Sequence, residues 1–326
     1  MSGMESAAEE SAWGAGAQRQ PEGPRTPAAL DTWDFGGTAV AVLGHPIHHS
    51  LSPPMHNAAL AAMAAEEPCF AGWKYFAFDV PPETLGTALP LFARRGFRGI
   101  NLTIPHKVDV VPLLREIDPA AARMGAVNTL ILREDGSGYS GANTDGYGIS
   151  RAVGEAFGRS LRGARVVLLG AGGAARAIAA QCLDEGCAEL WIGNRNEARL
   201  AALLDLVRKL FPEAAGRVRG FSLDGPPSVD GEAVVINATA LGLKADDPLP
   251  VDPAAFAPGT VVYDTTYGAV NGLARACAAA GRPYADGLGM LVWQGARSLA
   301  MWTGREPPVD VMTHAARAAL EERSRP

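Results

Sequence analysis

The chain has 326 residues, 48% of them hydrophobic, and a formal net charge of −6, so it can bury a large core and is expected to divide into two domains. The acidic balance and the lack of any Lys/Arg-rich run exclude the electrostatic footprint of a nucleic-acid binder. No apolar run approaches the roughly 18 residues that span a bilayer, and no basic-then-apolar leader opens the chain, so a soluble cytoplasmic protein is expected.

In chain order, residues 1–34 are rich in Gly, Ala, Glu, Pro and Gln without apolar periodicity and are expected to form a disordered tail. The body opens with an apolar strand, Thr38 to Leu43, followed by a turn and a helix that Ser52 should cap, with Pro53 and Pro54 in its first turn. Further strands are predicted at Lys74–Val80, Gly99–Ile104 and Ala126–Leu132, with helical stretches between them. A second alternating series follows, with strands at Arg165–Gly170, Leu190–Gly193, Ala233–Asn237 and Thr260–Asp264. Such alternation predicts an α/β fold of two units with mostly parallel sheets, and the turn formers of Gly141–Gly146 mark the boundary. The four cysteines show no CxxC spacing and read as reduced, mostly buried thiols.

The stretch Gly44–Asn57 holds four of the six histidines and raises the question of a metal. Zinc sites usually pair histidines at helical spacing or mix them with Cys or carboxylate. Here Pro46 and Pro53 break any helix through the cluster, and no Cys or acidic residue lies nearby. No metal is expected; three of the histidines should shape the turn or the packing, and His49 should line a pocket beside Ser50.

Gly170-Ala-Gly-Gly-Ala-Ala175 follows an apolar strand and opens an Ala-rich helix, matching G-x-G-x-x-A. Gly170 permits the tight turn, while Gly172, with Gly173 and Ala174 beside it, lets a pyrophosphate approach the backbone. The small Ala175 lets helix pack on strand. After the next strand, Asn194-Arg195-Asn196 replaces the acidic residue that would hold an unphosphorylated ribose, and Arg195 and Arg199 can bind a 2′-phosphate. NADP is the expected cofactor. The same asparagines can instead be a helix N-cap ahead of a solvated face, and Glu197 counts against a phosphate there.

The segments Gly44–Pro53, Asn101–Lys107, Gly125–Thr129, Gly141–Gly146 and Gly287–Gln294, in order and together with the dinucleotide loop, Asn194-Arg195 and Asn237-Ala-Thr239, resemble shikimate dehydrogenase. That resemblance implies reversible NADP-dependent reduction of 3-dehydroshikimate to shikimate, a step toward aromatic amino acids by way of chorismate. It further implies a substrate-binding domain over 35–145, a Rossmann NADP-binding domain over 146–285, and carboxyl-terminal helices over 286–326 that return to the first domain. By the family's pattern Ser50, Ser52 and Thr103 serve the substrate carboxylate, and Asn128 and Gln294 serve ring hydroxyls. Tyr267 faces the substrate, Thr239 and Gly287 lie by the cofactor, and Lys107 with Asp145 is the catalytic pair. The chain departs from the pattern at Ala240, where the family usually carries Ser, and in the residues around Tyr267.

Elementary chemistry fits those roles. Between Phe35 and Ala65 stand no acidic or basic residues other than histidines, so a carboxylate bound there must rely on hydroxyls and on N–H groups at the helix start. Hydride addition to a ketone leaves an alkoxide that needs a proton, and lysine can supply one where arginine cannot. Of the 29 basic residues only four are lysines, which makes Lys107 conspicuous. Whether it delivers the proton or only stabilises charge is open at this level. Two other readings stand beside this one: a quinate/shikimate dehydrogenase of broader substrate or cofactor use, and a non-catalytic NADP/shikimate-sensing paralogue. The oligomeric state is open, a homodimer included.

Overall fold

The computed structural model describes residues 23–223, 225, 227, 229–243, 247–268 and 271–323. Its first unit contains β1 (Thr38–Gly44), α1 (Ser52–Glu66), β2 (Trp73–Asp79), α2 (Leu85–Arg94), β3 (Gly99–Leu102), α3 (His106–Asp109), β4 (Glu116–Ile117), α4 (Pro119–Met124), β5 (Thr129–Leu132) and β6 (Tyr139–Ala142). The second contains α5 (Asp145–Phe157), β7 (Arg165–Leu169), α6 (Gly173–Asp184), β8 (Glu189–Gly193), α7 (Glu197–Leu210), β9 (Val218–Phe221), β10 (Val234–Asn237), β11 (Val261–Asp264), α8 (Gly272–Ala279) and β12 (Tyr284–Ala285). Helices α9 (Leu288–Thr303) and α10 (Val309–Arg323) follow.

The first sheet runs β2-β1-β3-β5-β6-β4, with β5 antiparallel to both of its neighbours and the other pairs parallel. Strands β1 and β3 are apolar along nearly their whole length because both faces are covered. One face packs on α1, α9 and α10 through Met55, Leu60, Leu299 and Met312; the other packs on α2 and an aromatic group that includes Phe78, Phe92 and Phe97.

Residues 23–34 correct the expected tail. The Arg25 N–H donates to Ala77 O at 2.9 Å and the Asp79 N–H to Arg25 O at 2.7 Å, which adds this segment to the edge of β2. Leu30 is fully buried, and the Trp33 ring lies 4.9 Å from those of Phe76 and Phe97. Two isolated anchors in a polar segment leave no periodic signal, although they suffice to offset ordering. The rest of the expected tail, residues 1–22, lies outside the described residues.

The second sheet is parallel throughout, in the order β12-β11-β10-β7-β8-β9. This is the doubly wound Rossmann arrangement, and its strand order reverses between β7 and β10. The crevice of such a sheet opens at the carboxyl ends of those two strands, where the glycine-rich turn and Asn237-Ala-Thr239 stand. The short β4, β6, β9 and β12 go beyond the predicted strands; segments such as Tyr139-Ser-Gly-Ala142 are too brief and too mixed to show a period.

The long helix α9 joins both halves. Its Met290 packs in the Rossmann core, while Val292, Ala296 and Leu299 pack under the first sheet. Helix α5 lies close against it at Gly148, where a Cβ would stand 2.9 Å from Met290 O and from Gln294 Cβ. This close approach sets Asp145, at the start of α5, against Gln294 on α9.

Candidate active site

A cavity of about 470 Å³ opens between the two units. Its walls bring together Ser50, Ser52, Thr103, Lys107, Asp145, Ala174, Tyr267, Gly287 and Gln294, with His45 and His49 at the loop before α1.

Lys107 stands on the short α3, and its Nζ donates to Asp145 Oδ2 at 2.7 Å. The Asp145 side chain is 3% exposed and that of Lys107 17%, so the pair is shielded from bulk water while the ammonium still reaches the cavity. Asn128 Nδ2 donates to the other Asp145 oxygen at 2.9 Å, and its Oδ1 accepts from the Thr144 N–H at 2.8 Å. Asn128 is buried and is not among the cavity-lining residues; it stands behind the wall, 3.3 Å from Gln294 Oε1. Its amide thus ties Asp145 to Gln294, the other residue that the family's pattern sets at a ring hydroxyl.

Buried hydrogen bonds continue from there. Thr129 Oγ1 donates to Asn128 Oδ1, Asn101 Nδ2 donates to Ser298 Oγ at 2.9 Å, and Tyr75 OH donates to Asn101 Oδ1 at 2.8 Å. Burial raises the Tyr75 hydroxyl pKa well above its ordinary value, and the Ser52 side chain beside it opposes that shift. With Thr129 Oγ1 2.8 Å from Ser298 Oγ, a polar chain runs from the serine loop to Asp145, and such chains hold their members in one geometry. Asn101 and Ser298 had no role in the sequence reading.

The serine loop differs from expectation in two ways. Ser52 is the first residue of α1 and does not cap it; instead Ser50 Oγ accepts from the Ser52 N–H at 3.2 Å. Pro53 and Pro54 have no N–H, so the helix start offers an anion fewer donors than expected. Ser50, Ser52 and Thr103 all line the cavity here.

Each histidine of this stretch has a place. His45 Nδ1 contacts Asp79 Oδ1 at 2.5 Å, and His48 lies 3.9 Å from His49, ring centroid to ring centroid. His56 is fully buried, stacked on Tyr75 at 4.1 Å, with Nδ1 2.9 Å from Ser52 O and Nε2 3.3 Å from Gly295 O. Burial lowers its pKa to about 4, despite the opposing pull of the two carbonyls. Among the described residues, no cluster of three or more His, Cys, Asp or Glu side chains is arranged to hold a metal.

Across the cavity, the dinucleotide turn has the geometry its sequence requires. Gly170 has φ +118°, and a Cβ there would stand 2.8 Å from Ala238 O, so only glycine fits. Gly172 is the N-cap of α6, and a Cβ on it would meet nothing within 4 Å, which leaves the backbone approachable by a pyrophosphate. Ala175 is fully buried between helix and sheet. Gly173 faces Lys107, with its hypothetical Cβ 3.3 Å from Lys107 Cβ. The dinucleotide turn, through Ala174, and the Lys107–Asp145 pair border the same cavity.

Arg195 and Arg199 are exposed at the carboxyl end of β8, and among the described residues neither has an ion-pair partner. Asn196 caps α7, accepting from the Arg199 N–H at 2.9 Å, and Asn194 Nδ2 donates to Asn196 O. Both sequence readings of this turn coexist: it caps a helix and presents two guanidinium groups.

Asn237 organises the turn after β10, accepting from Thr239 Oγ1 at 2.7 Å and donating to Asp264 Oδ1 at 2.9 Å. Asp264 is fully buried and also accepts from Asn271 and from Tyr284 OH. It anchors the loop that carries Thr265 and Tyr267 to the cavity, a role missed in sequence because a strand-end Asp reads as a turn former. Burial pushes the Tyr267 hydroxyl pKa up, and the nearby Arg323 opposes that shift.

A lysine–carboxylate pair facing a dinucleotide turn across an interdomain cleft defines a nicotinamide-dependent oxidoreductase. The description "Shikimate dehydrogenase substrate binding domain" matches residues 42–130, and "Shikimate 5'-dehydrogenase C-terminal domain" matches 287–317. The shikimate dehydrogenase (NADP(+)) of Moorella thermoacetica is 41% identical over 294 residues, covering 86% of this chain and 93% of that protein. A crystal structure of shikimate dehydrogenase in complex with NADP+ superposes with a TM-score of 0.78 at 32% identity, covering 92% of this chain and 99% of that one. The enzyme from Thermus thermophilus, in complex with NADP(H) and shikimate, gives 0.74 at 36% identity, covering 87% and 100%. The chain belongs to the shikimate dehydrogenase family.

Proposed function

We propose that this protein catalyses the reversible NADP-dependent reduction of 3-dehydroshikimate to shikimate, in the cytoplasm. The observation that carries the reading is the buried Lys107–Asp145 pair, 2.7 Å apart, set against Gly173 of the dinucleotide turn in a chain of this family. Among the described residues no helix is long and apolar enough to cross a membrane.

Bound NADPH supplies the hydride. Ser50, Ser52 and Thr103 hold the substrate carboxylate at one end of the cavity, while Gln294 and Tyr267 line the ring. An ammonium has three protons, and Lys107 commits one to Asp145. A second proton is available to the oxygen that becomes an alkoxide, and Lys107 delivers it there; in the oxidising direction the same nitrogen recovers it. Asp145, held by Asn128, keeps the ammonium in place and orients the reacting hydroxyl. Arg195 and Arg199 take the 2′-phosphate.

A spectrophotometric assay with shikimate and quinate, each with NADP and NAD, tests the assignment directly. Shikimate-dependent reduction of NADP is expected to dominate. Absence of that activity sinks the reading, and comparable rates with quinate or with NAD would move it to a broader quinate/shikimate enzyme. Within the same assay, Arg195→Ala is expected to raise the KM for NADP roughly tenfold and to leave that for NAD nearly unchanged, since only NADP carries the phosphate. Equal changes for both cofactors would remove Arg195 from the site.

A further inference from the structure

Helix α10 lies antiparallel to α1 and is fastened to it at both ends by an arginine. Arg305, just before α10, donates through Nε to both oxygens of Glu67 at 3.0 and 3.1 Å, beyond the carboxyl end of α1. At the opposite end Arg323, in the last turn of α10, donates through Nη1 to His49 O at 2.6 Å and through Nη2 to Ser50 O at 2.9 Å. These two carbonyls belong to the loop that presents Ser50 and Ser52 to the cavity.

That loop is short of the usual means of holding an anion. No acidic or basic residue other than histidine stands between Phe35 and Ala65. Pro53 and Pro54 remove two N–H groups from the start of α1, and the Ser52 N–H is occupied by Ser50 Oγ. The nearest fixed positive charge shown in contact with the loop comes from the far end of the chain.

We infer that Arg323 is a positioning residue for the carboxylate site: its forked guanidinium pins the His49 and Ser50 peptide planes, and it brings to the loop the positive charge that the loop's own sequence lacks. A rigid fork suits this task because it fixes two acceptors at once. Charge-assisted bonds to the two carbonyls also polarise the peptide groups around Ser50. Arg323 lies beyond residue 317, where the carboxyl-terminal family match ends, so the match does not speak for it. The inference rests on the reading that Ser50 and Ser52 receive the substrate's carboxylate.

The experiment compares wild type, Arg323→Ala, Arg323→Lys and Arg305→Ala by steady-state kinetics, and by calorimetric binding of shikimate without turnover. Arg323→Ala is expected to raise the KM and Kd for shikimate about fivefold, with kcat and the KM for NADP within about twofold. The increase should shrink at high ionic strength. Arg323→Lys, which keeps the charge and loses the fork, should recover part of the affinity. Arg305→Ala loosens the other end of the same helix and should leave the shikimate KM within about twofold. An unchanged shikimate affinity in Arg323→Ala overturns the inference, as does a rise shared with Arg305→Ala or with the KM for NADP, since either pattern marks a general loosening of α10. If wild type binds shikimate without oxidising it and Arg323→Ala still weakens that binding, the proposed reaction fails while this inference stands. A wild type that neither binds nor oxidises shikimate overturns both.

Discussion

Replacing Lys107 with alanine is expected to lower turnover by roughly 10²- to 10⁴-fold while shikimate still binds measurably, the usual consequence of removing a positioned acid or base. In the proposed site the carboxylate and ring contacts come from other elements, so kcat should carry most of the loss. Lys107→Arg separates the two tasks an ammonium can perform. Arginine keeps the positive charge beside Asp145 but does not release a proton near neutral pH. Turnover in Lys107→Arg should therefore remain within about tenfold of the alanine variant. A near-complete recovery would reassign Lys107 to charge stabilisation alone, and an undiminished kcat in Lys107→Ala would remove it from the chemistry. The Asp145 side chain is only 3% exposed, so losing the ammonium also strands a buried carboxylate with Asn128, and a lower unfolding temperature is expected alongside.

The second large effect concerns stability in acid. His56 is fully buried and its pKa is lowered to about 4 from an ordinary 6.5. Between those values the unfolded chain binds a proton that the folded protein refuses, so stability increases with pH across the window. The contribution is fully present above pH 6.5 and is lost as the pH falls toward 4. At 1.36 kcal/mol per pH unit the gap corresponds to about 3 kcal/mol. Urea unfolding at pH 7 and pH 4.5 should show most of this loss in wild type. His56→Gln, which has no titrating ring, should lack that part of the pH dependence even if it is less stable throughout. Parallel pH profiles for the two proteins would show that His56 is not the group responsible. His56 reaches Ser52 O and Gly295 O, contacts that favour the protonated ring, so the penalty comes from burying its charge between α1 and α9, the two helices that bear Ser52 and Gln294.

Much of the architecture was legible in the residues because long apolar strands and a glycine-rich turn are local signals. Strands β1, β7, β8 and β10 lie within a residue or so of their predicted bounds, and the cavity gathers Ser50, Ser52, Thr103, Lys107, Asp145, Tyr267 and Gln294. What could not be read depends on contacts far apart in sequence. The hydrogen bonds that join Asn128 to Asp145 and Gln294 link three separate segments and leave no mark in the sequence. Asp264 and Asn101 are buried network members that no spacing rule distinguishes from turn residues. Arg323 reaches a loop more than 270 residues earlier. The shortage of donors at the start of α1 was open to sequence reasoning, since proline has no N–H in any fold. Residues 23–34 show the opposite failing: average composition outweighed Leu30 and Trp33, the two side chains that hold the segment down.

The double attachment of α9 bears on how the molecule is made. Val40 and Val42 of the first sheet share one core with α1, α9 and α10, so the cover of that face is complete only when α9 and α10 arrive. On a ribosome this face of the first sheet stays only partly covered until the second unit, α9 and α10 have followed it out. The Rossmann sheet is laid down meanwhile from contiguous chain. Cutting the gene between the two units would give an amino-terminal fragment that lacks this cover and is prone to aggregate.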